Sequence, residues 1–259
     1  MLPYYEAPTF HLGPIPFEPF GLFVAAGVLL AAQIIVKQAQ KRHLDPRPLA
    51  DVVIWALAGG IVGGHFVHLF LYHPEELHKG PLQVLRMWDG LSSFGGLLGG
   101  LLAMLAYFRW KGVRFSTYAD ALALGVAPGW AVARIGCFAV HDHPGVRSDF
   151  FLAVNYPGGA RHDLGLYDSL VLFAITGLLF LLARVKWFEG RLMGVLALIY
   201  GTARFFFDFL RATDLSYVDR RYAGLTPAQY GCILIVSYGV WQLVRRREPS
   251  QTSDLAEAA

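Results

Sequence analysis

The stretch LMGVLALIYGTARFFFDFL, residues 192–210, has the length and the apolar content of a bilayer span, yet Arg204 stands in its middle. A span needs about 20 mostly apolar residues. A fixed cation at bilayer depth costs roughly 2.5–3.5 kcal/mol even on the lenient insertion scale, and arginine cannot shed its proton to escape. Arg134 repeats the pattern after the run from Ala119 to Val132. Two such residues predict an anion to meet them, and in a membrane the obvious anion is a lipid phosphate. Asp208 follows Arg204 at i+4, on the same helix face. It either neutralises the arginine internally or orients it toward a bound anion, and the two readings are compatible.

Working outward, the 259 residues are 55% hydrophobic and 16% charged, well below the roughly 25% charge of a soluble domain. Seven stretches approach span length: Phe20–Val36, Ala50–Tyr72, Leu91–Phe108, Tyr118–Phe138, Tyr167–Val185, Leu192–Leu210 and Thr226–Val244. In lipid the backbone must satisfy its own polar groups, so each reads as a helix. The expected fold class is therefore all-α, a polytopic membrane protein of about seven transmembrane helices. The net charge of +3 is small, and no basic-aromatic patch or nucleic-acid motif appears, so no nucleic-acid partner is expected. Cys137 and Cys232 form neither a disulfide framework nor a CxxC site. The first 19 residues lack the basic and apolar regions of a removable signal peptide, so the first span is expected to direct insertion.

Alternate loops share the basic residues unequally. One set holds thirteen, including Lys37, Lys41, Arg42, Arg109, Arg114, Arg184 and Arg245; the other holds seven, including Lys79, Arg147, Arg161 and Arg221. The richer set is assigned to the cytoplasm, which puts the N-terminus outside and the C-terminus inside. Residues 1–244 then form a single transmembrane helical domain with an external loop at 139–166, and 245–259 a polar cytoplasmic tail. Arg134 falls at the outer end of span four and Arg204 about two turns inside the outer end of span six.

Three constellations surround these arginines. Gly95 and Gly96, with Gly99 and Gly100, either let span three pack closely or break the helix and expose backbone donors to a phosphate. A second glycine run, from Gly59 to Gly64, reads as packing. The stretch ARIGCFAVHDHPG, residues 133–145, joins Arg134 to a His141-Asp142-His143 cluster. That cluster is a solvated loop, an acid/base group at the mouth of a site, or a partial metal site. The His141/His143 pair lacks a complete ligand set, so no metal is assigned. In span two, His65 and His68 share a face, either as core residues or with one as a proton acceptor.

At these residues the chain resembles the prolipoprotein diacylglyceryl transferase family. The landmarks run in order: Leu12-Gly13-Pro14, Gly21-Leu22, Asp89-Gly90 leading to Gly95-Gly96-Leu97, Arg134-Ile135-Gly136 with Phe138, and Arg161-His162 followed by Leu166-Tyr167-Asp168. Then come Tyr200-Gly201 with Arg204, Phe205, Asp208, Phe209, Arg211 and Asp214, and last Gly224-Leu225-Thr226 with Gln229. The resemblance departs at Phe20, where the family has tyrosine, at Phe94 for histidine, at Cys137 for asparagine, at Asp142 for glutamate and at His65 for arginine.

The resemblance implies a multi-pass enzyme of the bacterial cytoplasmic (inner) membrane that needs no cofactor. It would transfer a diacylglyceryl group from phosphatidylglycerol to the lipobox cysteine of a prolipoprotein signal peptide, forming a thioether and releasing glycerol phosphate. Arg134 and Arg204 would hold the headgroup and stabilise the departing phosphate. His141, with Asp142 positioning a neighbour, is the expected proton-accepting unit; His143 and His65 are its alternatives. Gly95, Gly96, Asp208, Tyr167 and His65 are expected to line the lipid site. The departures motivate a second reading, a relative that binds anionic phospholipid without transferring it. A transporter fits less well, because the buried charges lie toward one face and no inverted repeat is evident.

Overall fold

The structure is a computed structural model that describes residues 1–12, 15–72, 74–86, 90–215 and 221–245. Gly13, Pro14, Asp89, Arg220 and the tail from 246 to 259 lie outside the described residues, as does the side chain of Phe94.

Each apolar stretch carries one α-helix: α1 Pro19–Lys41, α2 Arg47–Val67, α3 Ser93–Trp110, α4 Phe115–Val140, α5 Leu164–Leu182, α6 Leu192–Phe207 and α7 Pro227–Val244. By length and composition, five segments can cross a membrane: α1, α2 extended to Phe70, α4, α5 and α6 extended to Leu210. α3 and α7 have 18 residues each.

Glycine sets which helices pair. α2 and α3 meet along a reciprocal stripe: a methyl group built on Gly59 would lie 2.7 Å from the Gly99 carbonyl oxygen, and one on Gly99 would lie 2.2 Å from the Gly59 oxygen. α1 and α4 approach equally closely, with Gly27 against the Gly129 carbonyl at 2.3 Å by the same construction. Gly239 of α7 packs against Leu198 of α6. Close backbone contact is how helices associate where lipid supplies no hydrophobic drive. Leu124, Ala127 and Ala131 of α4 close a core with Leu172 and Ile175 of α5 and Val195 and Tyr200 of α6. A second core joins Ile35, Val52, Phe108 and Leu122 from α1 to α4.

The chain is mostly helical, as expected, and the long loop between α4 and α5 adds short β-structure. Strands β1 Leu2–Pro3, β4 Pro144–Arg147, β5 Val154–Tyr156 and β6 Gly159–Asp163 form a four-stranded sheet in the order β1-β5-β6-β4, and β2 Phe10–Leu12 pairs with β3 Ile15–Phe17. β5 and β6 turn through Pro157-Gly158, with Tyr156 facing Gly159. Gly158 takes φ +95°, which a type II turn demands at its second central residue and glycine supplies without strain. Bidentate hydrogen bonds from Arg161 to Asp214, at 2.8 and 2.5 Å, tie the sheet to the segment after α6.

The C-terminal ends of α4 and α6 and the N-terminal ends of α3, α5 and α7 all lie at the sheet end of the bundle. At the opposite end, buried Asp120 accepts from Arg42 at 3.0 Å and from the backbone N–H groups of Gly190 at 2.6 Å and Leu192 at 3.0 Å. This carboxylate caps the start of α6 and fixes how far α6 slides along α4.

Candidate active site

Arg134 lies six positions before the end of α4, and Arg204 sits in the last turn of α6, nearer the helix end than the apolar run alone implies. Both point into one cavity of about 560 Å³ near the sheet end. Leu97, Leu98 and Leu101 of α3 and Leu234 of α7 line its outer part, and all four are exposed on the bundle surface. The cavity therefore has a polar floor and an apolar rim, which matches a lipid entering headgroup first between α3 and α7.

Asp168, in the second turn of α5, is 1% exposed and stands between the two arginines. Its Oδ2 lies 3.4 Å from Arg134 Nε and 3.8 Å from Arg204 Nε. Asp208 Oδ1 lies 3.2 Å from Arg204 Nη2 and 3.7 Å from Arg211 Nη1. The Thr226 hydroxyl donates to the other oxygen of Asp208, and Thr226 itself caps α7 in a capping box with Gln229. The start of α7 thus fixes Asp208, and Asp208 fixes Arg204.

Among the described residues, Arg134, Arg204 and Arg211 meet Asp168 and Asp208 across this floor. Several groups keep unused capacity. Among the described residues, the buried Arg204 Nη1, Tyr200 hydroxyl and Asp168 Oδ1 have no hydrogen-bond partner. Leaving a buried donor unsatisfied costs roughly 1–3 kcal/mol. An anion with several acceptor oxygens relieves that cost.

The candidate residues separate. Arg134, Arg204 and His143 line the cavity. Asp142 hydrogen-bonds Nδ1 of His143. His141 points elsewhere: its Nδ1 lies 2.7 Å from Asp163 Oδ2, its ring stacks on Tyr4 at 4.5 Å, and it faces a second, smaller pocket under the sheet. Of the two histidines expected to offer a base in this stretch, His143 lines the cavity and His141 does not. Asp163 also accepts from Tyr156 at 2.6 Å; burial and the adjacent Asp163 push the Tyr156 phenol well above its ordinary pKa, which keeps it a donor. Tyr167 is turned from the cavity as well. Its hydroxyl donates to His162 Nδ1 at 2.7 Å, and burial holds that imidazole below its ordinary pKa, in the neutral form that accepts.

His65 is 1% exposed and bonded to the Gln83 carbonyl at 3.1 Å and the Gly90 carbonyl at 3.4 Å, so it anchors the segment before α3. Its neighbour His68 reaches the cavity instead. Gly95 and Gly96 do not break a helix. They form its first turn: Ser92 Oγ caps the Gly95 N–H at 3.2 Å, and the Gly96 N–H bonds the Ser92 carbonyl at 2.8 Å. Their donors are used, and their missing side chains let α3 lie on Gly60 and Gly63 of α2.

Asp168, Tyr200 and Thr226 were not singled out as site residues. The signals were present: Asp168 is an acid inside an apolar run, and Tyr200 precedes Arg204 by four residues and shares its face.

Sequence comparison identifies the relatives of this chain. The family profile described as prolipoprotein diacylglyceryl transferase matches residues 8–245. A phosphatidylglycerol–prolipoprotein diacylglyceryl transferase of Methylococcus capsulatus is 31% identical over 242 residues, covering 88% of this chain and 90% of the relative. Enzymes of the same name from Brucella anthropi and Brucella canis are 30% and 31% identical, each over 91% of this chain and 90% of the relative. A profile that spans nearly the whole chain, together with relatives alike over nine-tenths of their length, establishes that this protein belongs to the prolipoprotein diacylglyceryl transferase family.

Proposed function

We propose that the chain transfers a diacylglyceryl group from phosphatidylglycerol to the lipobox cysteine thiol of prolipoproteins, at the outer face of the bacterial cytoplasmic membrane. The observation that carries this reading is the single cavity in which Arg134 and Arg204 share Asp168 beneath an apolar rim. In this reading all seven helices span the membrane, with the N-terminus outside, and residues 1–244 act as one domain. The unequal loop charges support that orientation.

The lipid enters between α3 and α7 with its phosphate over the two arginines. The acceptor thiol loses its proton, and the thiolate attacks the glycerol carbon that carries the phosphate. The C–S bond forms as the C–O bond breaks, and the bonding pair leaves on glycerol phosphate. Negative charge grows on the phosphate oxygens as it departs, so donors fixed beforehand stabilise the transition state more than the ground state. Arg204 Nη1 and the Tyr200 hydroxyl are such donors. The thiol proton passes to His143, whose Nδ1–H is held by Asp142 so that Nε2 is free to accept. Phe94 cannot fill that role.

A transfer assay with phosphatidylglycerol and a lipobox peptide tests the proposal. Thioether product from wild type, and none from Arg204→Ala, supports it. Lipid binding without product from wild type favours the non-transferring relative instead.

A further inference from the structure

α2 passes into one π-helical turn, His68–Tyr72. Such turns are rare and often mark functional sites. The segment that follows is stitched back to α2: His65 bonds the Gln83 and Gly90 carbonyls, and the Ser92 N–H bonds the Gly64 carbonyl at 3.0 Å. Gly64 lies one turn before His68, so Ser92 and His68 meet on one wall, and both line the lipid cavity. The His68 ring packs on Gly90, where a methyl group would lie 2.2 Å from Nε2, and this glycine takes φ +143°. No larger residue fits there, so the ring keeps its place on the wall.

The proposed transfer gives these two residues no role. Arg134, Arg204 and Arg211 lie on the cavity floor, Tyr200 donates toward the phosphate, His143 takes the thiol proton, and the Thr226 hydroxyl is used by Asp208. Phosphatidylglycerol carries a second glycerol beyond its phosphate, with two hydroxyls that need partners once water is excluded. The rim of Leu97, Leu98 and Leu101 supplies none. We propose that His68 and Ser92 bind these headgroup hydroxyls and so select a glycerol headgroup over one that lacks them.

The chemistry of the pair suits a diol. A neutral imidazole has one donating and one accepting nitrogen. A hydroxyl both donates and accepts, so it meets whichever nitrogen faces the cavity. Ser92 Oγ accepts from the Gly95 N–H at 3.2 Å, and its own O–H donates to a second headgroup oxygen. A site built for hydroxyls rejects a lipid without them, because its polar groups are then left unpaired. An ammonium headgroup likewise offers Ser92 no acceptor. This selection rests on phosphatidylglycerol being the lipid donor, and it leaves His143 as the base.

Binding of two lipids to the purified full-length protein tests the selection. They are phosphatidylglycerol and phosphatidylpropanol with the same acyl chains; the second keeps the phosphate and the three-carbon headgroup and lacks both hydroxyls. Wild type is expected to bind phosphatidylglycerol about tenfold more tightly. His68→Phe keeps a ring against Gly90 and removes both nitrogens, and the preference falls to about twofold or less. His68→Gln, which has a donor and an acceptor, restores part of the preference, as a purely structural role would not. If a melting curve shows His68→Phe unfolded, His68→Leu takes its place. Equal binding of both lipids by wild type, or a preference that survives the loss of the imidazole, overturns the assignment. Transfer assays with the same lipids separate the two ideas. Thioether product from wild type that binds both lipids equally removes the selection and leaves the transferase intact. A preference lost in His68→Phe, with no thioether product from wild type, removes the transferase reading and leaves the headgroup site.

Discussion

The two ends of the helix bundle both bury carboxylates, and they treat them in opposite ways. At the end away from the sheet, Asp120 has three donors at 2.6–3.0 Å. At the sheet end, Asp168 offers one oxygen to two arginines at 3.4 and 3.8 Å and keeps the other without a partner among the described residues. A satisfied charge at a helix junction holds the fold. A poorly satisfied group of charges beside a cavity holds capacity in reserve for a ligand. Substitutions at the two ends should therefore fail differently, one in stability and the other in chemistry.

The largest effect is expected at the satisfied end. Asp120→Ala leaves Arg42 and two backbone donors unpaired, and removing one partner of a buried pair costs about 3–5 kcal/mol. The melting temperature falls sharply, while the folded fraction keeps its KM for phosphatidylglycerol; a changed KM with an unchanged melting temperature would reverse the roles assigned to the two ends. Next, Arg204→Ala lowers kcat/KM by about 100-fold or more with little loss of melting temperature, since the charge it removes is poorly matched. Gly99→Leu, which drives a side chain into the Gly59 backbone, destabilises by about 1–3 kcal/mol and reduces transfer by shifting the α3 wall, as thermal melts and product yield report. Asp168→Asn frees both arginines and tightens lipid binding by about fivefold, roughly 1 kcal/mol, without raising kcat; weaker binding would mean that Asp168 serves the ligand directly.

The smallest effect concerns the sheet. Arg161 lowers the pKa of Asp214 to about 2. A depressed carboxylate contributes stability above its unfolded pKa of about 3.9 and loses it as pH falls through the folded value. The protection factors of β4 amides, corrected for intrinsic exchange at each pH, should be flat from neutral pH down to about 4 and fall only from there toward pH 2.

The helices were legible because apolar runs of span length have one solution in lipid, and each run carries its helix to within about a turn and a half. The sheet was not. Its strands are two to five residues long, too short for alternation to register, and β1 joins β5 from the far end of the chain. Yet the Tyr156-Pro157-Gly158-Gly159 turn was readable. At the site, Arg134, Arg204 and Asp208 declared themselves as charges in apolar runs. The histidines did not sort, because His141 and His143 differ only in the reversal after α4, and His65 and His68 only in which faces the segment before α3. The paired glycines admitted two readings, and the facing stripe on α2, which decides for packing, is a tertiary fact.

The central claim is that Arg134 and Arg204 grip one lipid phosphate. A double-mutant cycle on phosphatidylglycerol binding tests it most directly, using Arg134→Ala, Arg204→Ala and the double variant of the purified protein. If both arginines hold the same phosphate, each single change weakens binding and the double change loses far less than the sum of the two. Losses that add in full, or binding that either change leaves untouched, would place the arginines on separate ligands and contradict the account.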